Sequence, residues 1–167
     1  MKKYCVDTSG ISNPLETMPE DIHESAWKKI KERIIDGEFA VTKEIYDEMV
    51  HIVGTVGECI KSSEAELVLE VAEGDWDHET YITEVTRMQY VYAEFISENN
   101  NGRSGTVGLN DISIIALAKA LKLPLVHMES AVNNEASKKR RIPDICKLEA
   151  IEDIPFSTYC RKEGLKF

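Results

Sequence analysis

A chain of 167 residues, 43% apolar and 30% charged, has the composition of one soluble globular domain with enough length to bury a real core. Its net charge of −10 argues against non-specific nucleic-acid binding, which runs on Lys and Arg neutralising phosphates, and only the basic run KKRR at 138–141 stands out from that acidic background. No apolar stretch approaches the roughly 20 residues that cross a bilayer, and MKKYCVDTSG has lysines with no apolar segment behind them, so the chain is expected to be cytoplasmic, without a membrane span or signal peptide.

KKYCV (2–6) reads as a strand, and residues 10–21, with Pro14 and Pro19 among small polar residues, read as a loop. Residues 23–37 have helical spacing, with Trp27, Ile30 and Ile34 on one face and Gly37 as the stop. EFAVT (38–42) is a second strand, and 43–53 a helix with Thr42 as its N-cap, broken at Gly54 and Gly57. A third helix is expected over 58–72 and a long fourth over 77–98, where Tyr81, Val85, Met88, Tyr92 and Phe95 make an apolar stripe facing the core or a partner. Loop 99–108 leads to a helix at 110–122 that is apolar nearly all round and therefore buried. LPLVHM (123–128) is a strand, 130–141 a polar loop, 142–151 a short helix with Pro143 at its start, and 155–165 a terminal helix. Short apolar strands separated by helices predict an α/β protein with a parallel sheet, in one domain spanning 1–167. The four cysteines (5, 59, 146 and 160) form no CxxC pair, which predicts buried free thiols rather than a zinc site.

Acidic residues recur where these strands give way to loops. Asp7 ends the first strand, Glu48 lies one turn into the helix after the second, Asp111 opens the buried helix, and Glu129 ends the next strand. On the 43–53 helix, Ile45, Met49 and Ile52 form the apolar stripe, and Glu48 borders it, about 40° from Ile52, whereas Asp47 lies on the far side. Glu44, about 80° away, is the weaker inward candidate. Four carboxylates converging at one sheet edge would suit a hard divalent cation such as Mg²⁺ or Mn²⁺. The competing reading of Asp111 is an acid favoured by the helix dipole, worth about 0.3–1 kcal/mol, with Asn110 free to cap the helix. For KKRR, the competing reading is a solvated loop. His127 stands beside Glu129 and either touches the pocket or is a buried structural histidine. CVDTSG also hints at an aspartyl nucleophile, but that chemistry would want a second acid where Ser9 stands.

Taken in order, VDTS (6–9), EIYDEM (44–49), NDISIIALAKALKLPLV (110–126) and ES (129–130) resemble the PIN-domain family, Mg²⁺/Mn²⁺-dependent ribonucleases of the VapC-toxin type. The closing RRIPDICKL (140–148) resembles a PIN-like subfamily known only as a domain of unknown function, in which the fourth acid is Glu. The resemblance implies a three-layer α/β/α fold with a short-stranded, mainly parallel sheet. It also implies metal-assisted hydrolysis of RNA phosphodiesters, with Asp7, Glu48, Asp111 and Glu129 as catalytic metal ligands. Ser9 matches the family's small hydroxyl position, and with Thr8 would hydrogen-bond a ligand carboxylate or bound water. Lys138, Lys139, Arg140 and Arg141 would meet substrate phosphates. His127 departs from the family pattern, which usually has Thr there. The resemblance further implies a cognate antitoxin and a homodimer, for which the 77–98 stripe offers a surface. Two other functions remain open at this point: a catalytically degenerate PIN-like scaffold, and a metal-dependent phosphatase for small substrates.

Overall fold

Four short segments make the sheet: β1 (Tyr4–Val6), β2 (Phe39–Ala40), β3 (Leu125–His127) and β4 (Asp153–Pro155). They appear in a computed structural model that describes residues 1–69 and 76–165. All pair in parallel, in the order β2-β1-β3-β4, with Cys5 opposite both Ala40 and Leu125 and with Val126 opposite Ile154. Parallel neighbours need crossover connections, and helices supply them, so the sheet is covered on both faces in a three-layer α/β/α arrangement.

The helices are α1 (Ser9–Thr17), α2 (Glu24–Ile35), α3 (Lys43–Met49), α4 (Thr55–Ser62), α5 (Glu64–Leu67), α6 (His78–Val91), α7 (Leu109–Leu121), α8 (Ile142–Glu149) and α9 (Phe156–Lys162). As its all-round apolar sequence predicts, α7 is central, packing on β1 and β3 with α3, α6 and α8 around it. On α1 and α9 falls the rest of β3 and β4, and the Trp27 ring of α2 stacks on Phe156 of α9 at 5.7 Å. Thr42 caps α3, accepting the Ile45 N–H at 3.3 Å.

Several expectations need correction. Residues 10–21 are not a loop, because α1 fills most of them with Pro14 inside it. Pro14 has no N–H to give Gly10, so the helix loses one bond. Gly10 lies so close to β3 that a Cβ there would be 2.8 Å from the Val126 carbonyl oxygen. The expected 58–72 helix is two, α4 and α5, and it starts earlier, with Gly57 inside α4 rather than breaking the chain; its last three positions lie outside the described residues. Helix α6 ends at Val91 and is followed by single 3-10 turns at Ala93–Phe95 and Ser97–Asn99. The stripe on α6 packs inward: Met88 and Tyr92 are buried, and Tyr81, Val85 and Phe95 lie against the core, so it is no free dimer surface. β4 had no sequence signal, because its three residues carry one inward apolar side chain, Ile154. Cys5, Cys146 and Cys160 are buried free thiols as expected, but Cys59 is half-exposed. Among the described residues, no helix is long and apolar enough to cross a membrane.

Candidate acidic site at the carboxyl edge of the sheet

Asp7 follows β1 directly, its N–H donating to the Val126 carbonyl at 2.9 Å, and it is only 4% exposed. Its Oδ2 accepts both the Ser9 N–H at 2.9 Å and the Ser9 hydroxyl at 2.5 Å. The same hydroxyl accepts the Met128 N–H at 3.1 Å, which ties the first acid to the segment leaving β3. Burial raises the Asp7 carboxyl above the usual carboxylate range; the Ser9 bonds oppose this and the nearby Glu48 charge adds to it.

Glu48 is exposed on α3 and spans the mouth of the site. Its Oε2 accepts the Thr8 hydroxyl at 2.9 Å and its Oε1 accepts the Asn110 amide at 2.6 Å. Asp111 is the third residue of α7, and its Oδ2 accepts the Gly108 N–H at 2.7 Å. Capping is therefore a real task of Asp111, although the cap residue is Gly108 and not Asn110. A cap alone would lower its pKa. Instead burial pushes the Asp111 carboxyl up to about 7, past the pull of the Gly108 bond, and the charges of Asp7, Glu129 and Glu48 push the same way. All four predicted acids therefore fall within electrostatic reach of one point.

Glu129 lies two residues beyond β3, half-buried, with its Oε2 accepting the Ile142 N–H at 3.0 Å. His127 holds its backbone. The Glu129 N–H donates to His127 Nδ1 at 3.0 Å, so the ring proton belongs on Nε2, which stands 2.9 Å from Asp153 Oδ2. His127 is thus a buried positioning residue, 3% exposed, between the fourth acid and β4. Asp144 organises the following loop: its carboxylate accepts the N–H groups of Val132 at 3.0 Å, Asn133 at 3.2 Å and Arg141 at 2.9 Å.

The basic run divides. Arg140 turns back on its own loop, donating to the carbonyls of Ser137 and Lys139 at 2.8 Å and Glu135 at 3.0 Å, and lies 4.7 Å over the Phe95 ring. Its guanidinium is engaged in holding the loop. Lys138 and Lys139 are exposed. A Cβ on Gly105 would meet the Arg141 guanidinium at 3.4 Å and the Lys139 ammonium at 3.5 Å, so these two cations flank that loop together. Arg141 immediately precedes Ile142, the residue that holds Glu129.

Among the described residues no three His, Cys, Asp or Glu side chains stand close enough together, as placed, to hold an ion. The donor chemistry still fits a hard divalent cation: every acid in the cluster offers oxygen, two are held above their usual pKa, and each carboxylate has more lone pairs than the bonds just described use. Three contributors escaped the sequence reading. Asn110 was weighed only as a cap, Asp144 carried a readable signal as the acid three residues past an N-cap, and Asp153 carried none.

These features define a class: a parallel-sheet α/β/α protein with an acidic cluster at the carboxyl edge of its strands. The crystal structure of PAE2754 from Pyrobaculum aerophilum shares the fold, with a TM-score of 0.52 over 99% of this chain and 98% of that one, at 15% identity. The chain itself belongs to the family described as Domain of unknown function (DUF4411), whose model matches residues 4–167. No protein of curated description matches the sequence.

Proposed function

We propose that the protein is a Mg²⁺- or Mn²⁺-dependent ribonuclease of the PIN-like kind that hydrolyses RNA phosphodiesters at the Asp7, Glu48, Asp111 and Glu129 cluster. The observation that carries this reading is the convergence on Asp111, a half-buried acid pushed up by burial and by the charges of the other three. A divalent cation bound there supplies Lewis acidity at the phosphate and a nucleophile at neutral pH. Asp7 and Asp111, fixed by Ser9 and Gly108, would hold the ion, with Glu48 and Glu129 approaching from the two sides. Lys138, Lys139 and Arg141 attract the substrate's phosphates on the Glu129 side. The test is cleavage of single-stranded and structured RNA with Mg²⁺ or Mn²⁺. Asp7→Asn and Asp111→Asn should each lower the rate by roughly a hundredfold or more; variants that both cleave like the parent would sink the assignment.

A second reading is a catalytically degenerate binding module, favoured by one observation: the four acids are occupied with protein donors and do not close on a common point. Thermal melting separates the two. A Mn²⁺-dependent rise in Tm that vanishes in Asp111→Asn supports the nuclease, and no rise at all supports the scaffold.

A further inference from the structure

The turn that ends α3 forms, with α1, a groove of about 420 Å³ that opens directly onto Glu48. Leu15 and Ile52 line it and also pack against the core, so its floor is firm. Val53 stands at the rim 85% exposed, an apolar side chain in water. The wall is fixed by close packing. The carbonyl oxygen of Ile52 would be 1.8 Å from any Cβ on Gly57, so α4 is pressed against this turn. The polar lining comes from Ser12, Glu16, Glu48 and the exposed His51, and among the described residues no Lys or Arg contributes.

Charge separates the two flanks of the acidic cluster. Beyond Glu129 stand Lys139 and Arg141, which suit phosphate. Beyond Glu48 lies an apolar groove edged by Glu16, which repels phosphate and suits a neutral ring with hydrogen-bond donors. An RNA strand drawn across the cluster would therefore lay backbone on the first flank and turn a base into the second. Bases taken out of a stack are held in this way, on apolar and aromatic side chains with one or two polar groups reading an edge.

We infer that the groove between α1 and the end of α3 receives an unstacked nucleobase adjoining the scissile phosphate, and that Glu16 makes it selective for guanine. This inference rests on the ribonuclease reading. Guanine presents an N–H and an amino group side by side, both able to donate to one carboxylate, whereas uracil presents two carbonyls around a single N–H. A carboxylate accepting two parallel bonds gives the geometry its discrimination.

The experiment measures fluorescence anisotropy of short single-stranded oligoribonucleotides, all-uridine or with one central guanosine, in Mg²⁺ with the full chain carrying Asp7→Asn and with the parent. The guanosine oligonucleotide should bind roughly tenfold more tightly. Val53→Asp, at a fully solvated position, and Glu16→Gln should each remove that preference while the melting curve stays as in the parent. Lys139→Ala with Arg141→Ala should weaken both oligonucleotides alike. The His51 ring resonances should move when the guanosine oligonucleotide is added. Equal affinities, a preference that survives both groove variants, or no binding overturns the inference. The two readings fail separately. Cleavage by the parent with no base preference, unchanged in Val53→Asp, removes the groove and keeps the nuclease. Guanosine-selective binding lost in Val53→Asp, with no RNA cleaved by the parent, removes the nuclease and keeps the groove.

Discussion

Single side chains in this protein carry opposite electrostatic signs. Asp111 has its carboxyl raised from 3.8 to about 7, chiefly by burial. An acid raised on folding costs nothing at low pH, and its penalty grows as pH climbs from about 4 through about 7, being complete above that. In the absence of divalent cations, Asp111→Asn should therefore stabilise the protein at pH 8 by about 1–3 kcal/mol and leave it unchanged near pH 4. The Asn oxygen can still accept the Gly108 N–H. Urea unfolding at the two pH values reads the difference, and a variant less stable at pH 8 would contradict it. A pair of tyrosines gives a control of another kind. Tyr159 is 1% exposed and its hydroxyl finds no hydrogen-bond partner among the described residues. Tyr159→Phe should therefore be neutral or mildly stabilising. Tyr4→Phe should cost about 1 kcal/mol, because it deletes the 2.7 Å bond to Glu163, as denaturant midpoints would show. Asp7 and Glu129 were legible because they follow strands, Asp111 because it opens an apolar helix, and Glu48 because it borders an apolar stripe. A buried structural role for His127 was legible too, but its partner was not, since Asp153 is far along the chain and belongs to a strand without a pattern.

Among elements, α4 is positioned by a missing side chain. Gly57 lets its backbone meet the Ile52 carbonyl, so Gly57→Ala must push α4 from the end of α3 and with it the helix that carries Glu48. The expected cost is about 1–3 kcal/mol or more, seen as a drop in Tm. Gly102→Ala serves as the comparison: it is strained by its φ of 71° but meets nothing within 4 Å, so it should cost less. The Gly57 contact could not be read from sequence. Gly57 resembled a helix breaker, and only the approach of a distant carbonyl shows why it is inside one. The same holds for α1, where Pro14 and four small polar residues (Ser9, Ser12, Asn13 and Thr17) outweighed a helix that tertiary packing stabilises. By contrast α7 was legible throughout, because a helix without a polar face has one place to go. β4 was not, because a three-residue edge strand offers no periodicity to count.

The whole molecule is joined on its far side by one carboxylate. Glu149 of α8 bonds Arg87 of α6 at 2.5 Å and also meets Tyr92 and Lys119 of α7, so three helices share one anchor. Against the upward push of burial, the bonds from Arg87, Lys119 and Tyr92 hold its carboxyl down at about 2. An acid lowered on folding lends stability that is full above its unfolded value near 4.5 and is lost as pH falls through about 2. Glu149→Gln should cost about 1–3 kcal/mol at pH 7, and its melting curve should converge on the parent's toward pH 2. A gap that widened with acid would refute the assignment. On the opposite side, the imidazole of His127 joins Glu129 to Asp153 in β4. Proteins emerge amino end first, so Asp7, Glu48 and Asp111 are synthesised well before the strand that steadies the fourth acid. A chain that ends short of β4 already carries all four acids, but His127 lacks its Asp153 partner. The bridge from His127 to Asp153 therefore closes only when the last strand of the sheet has been made and has docked beside β3.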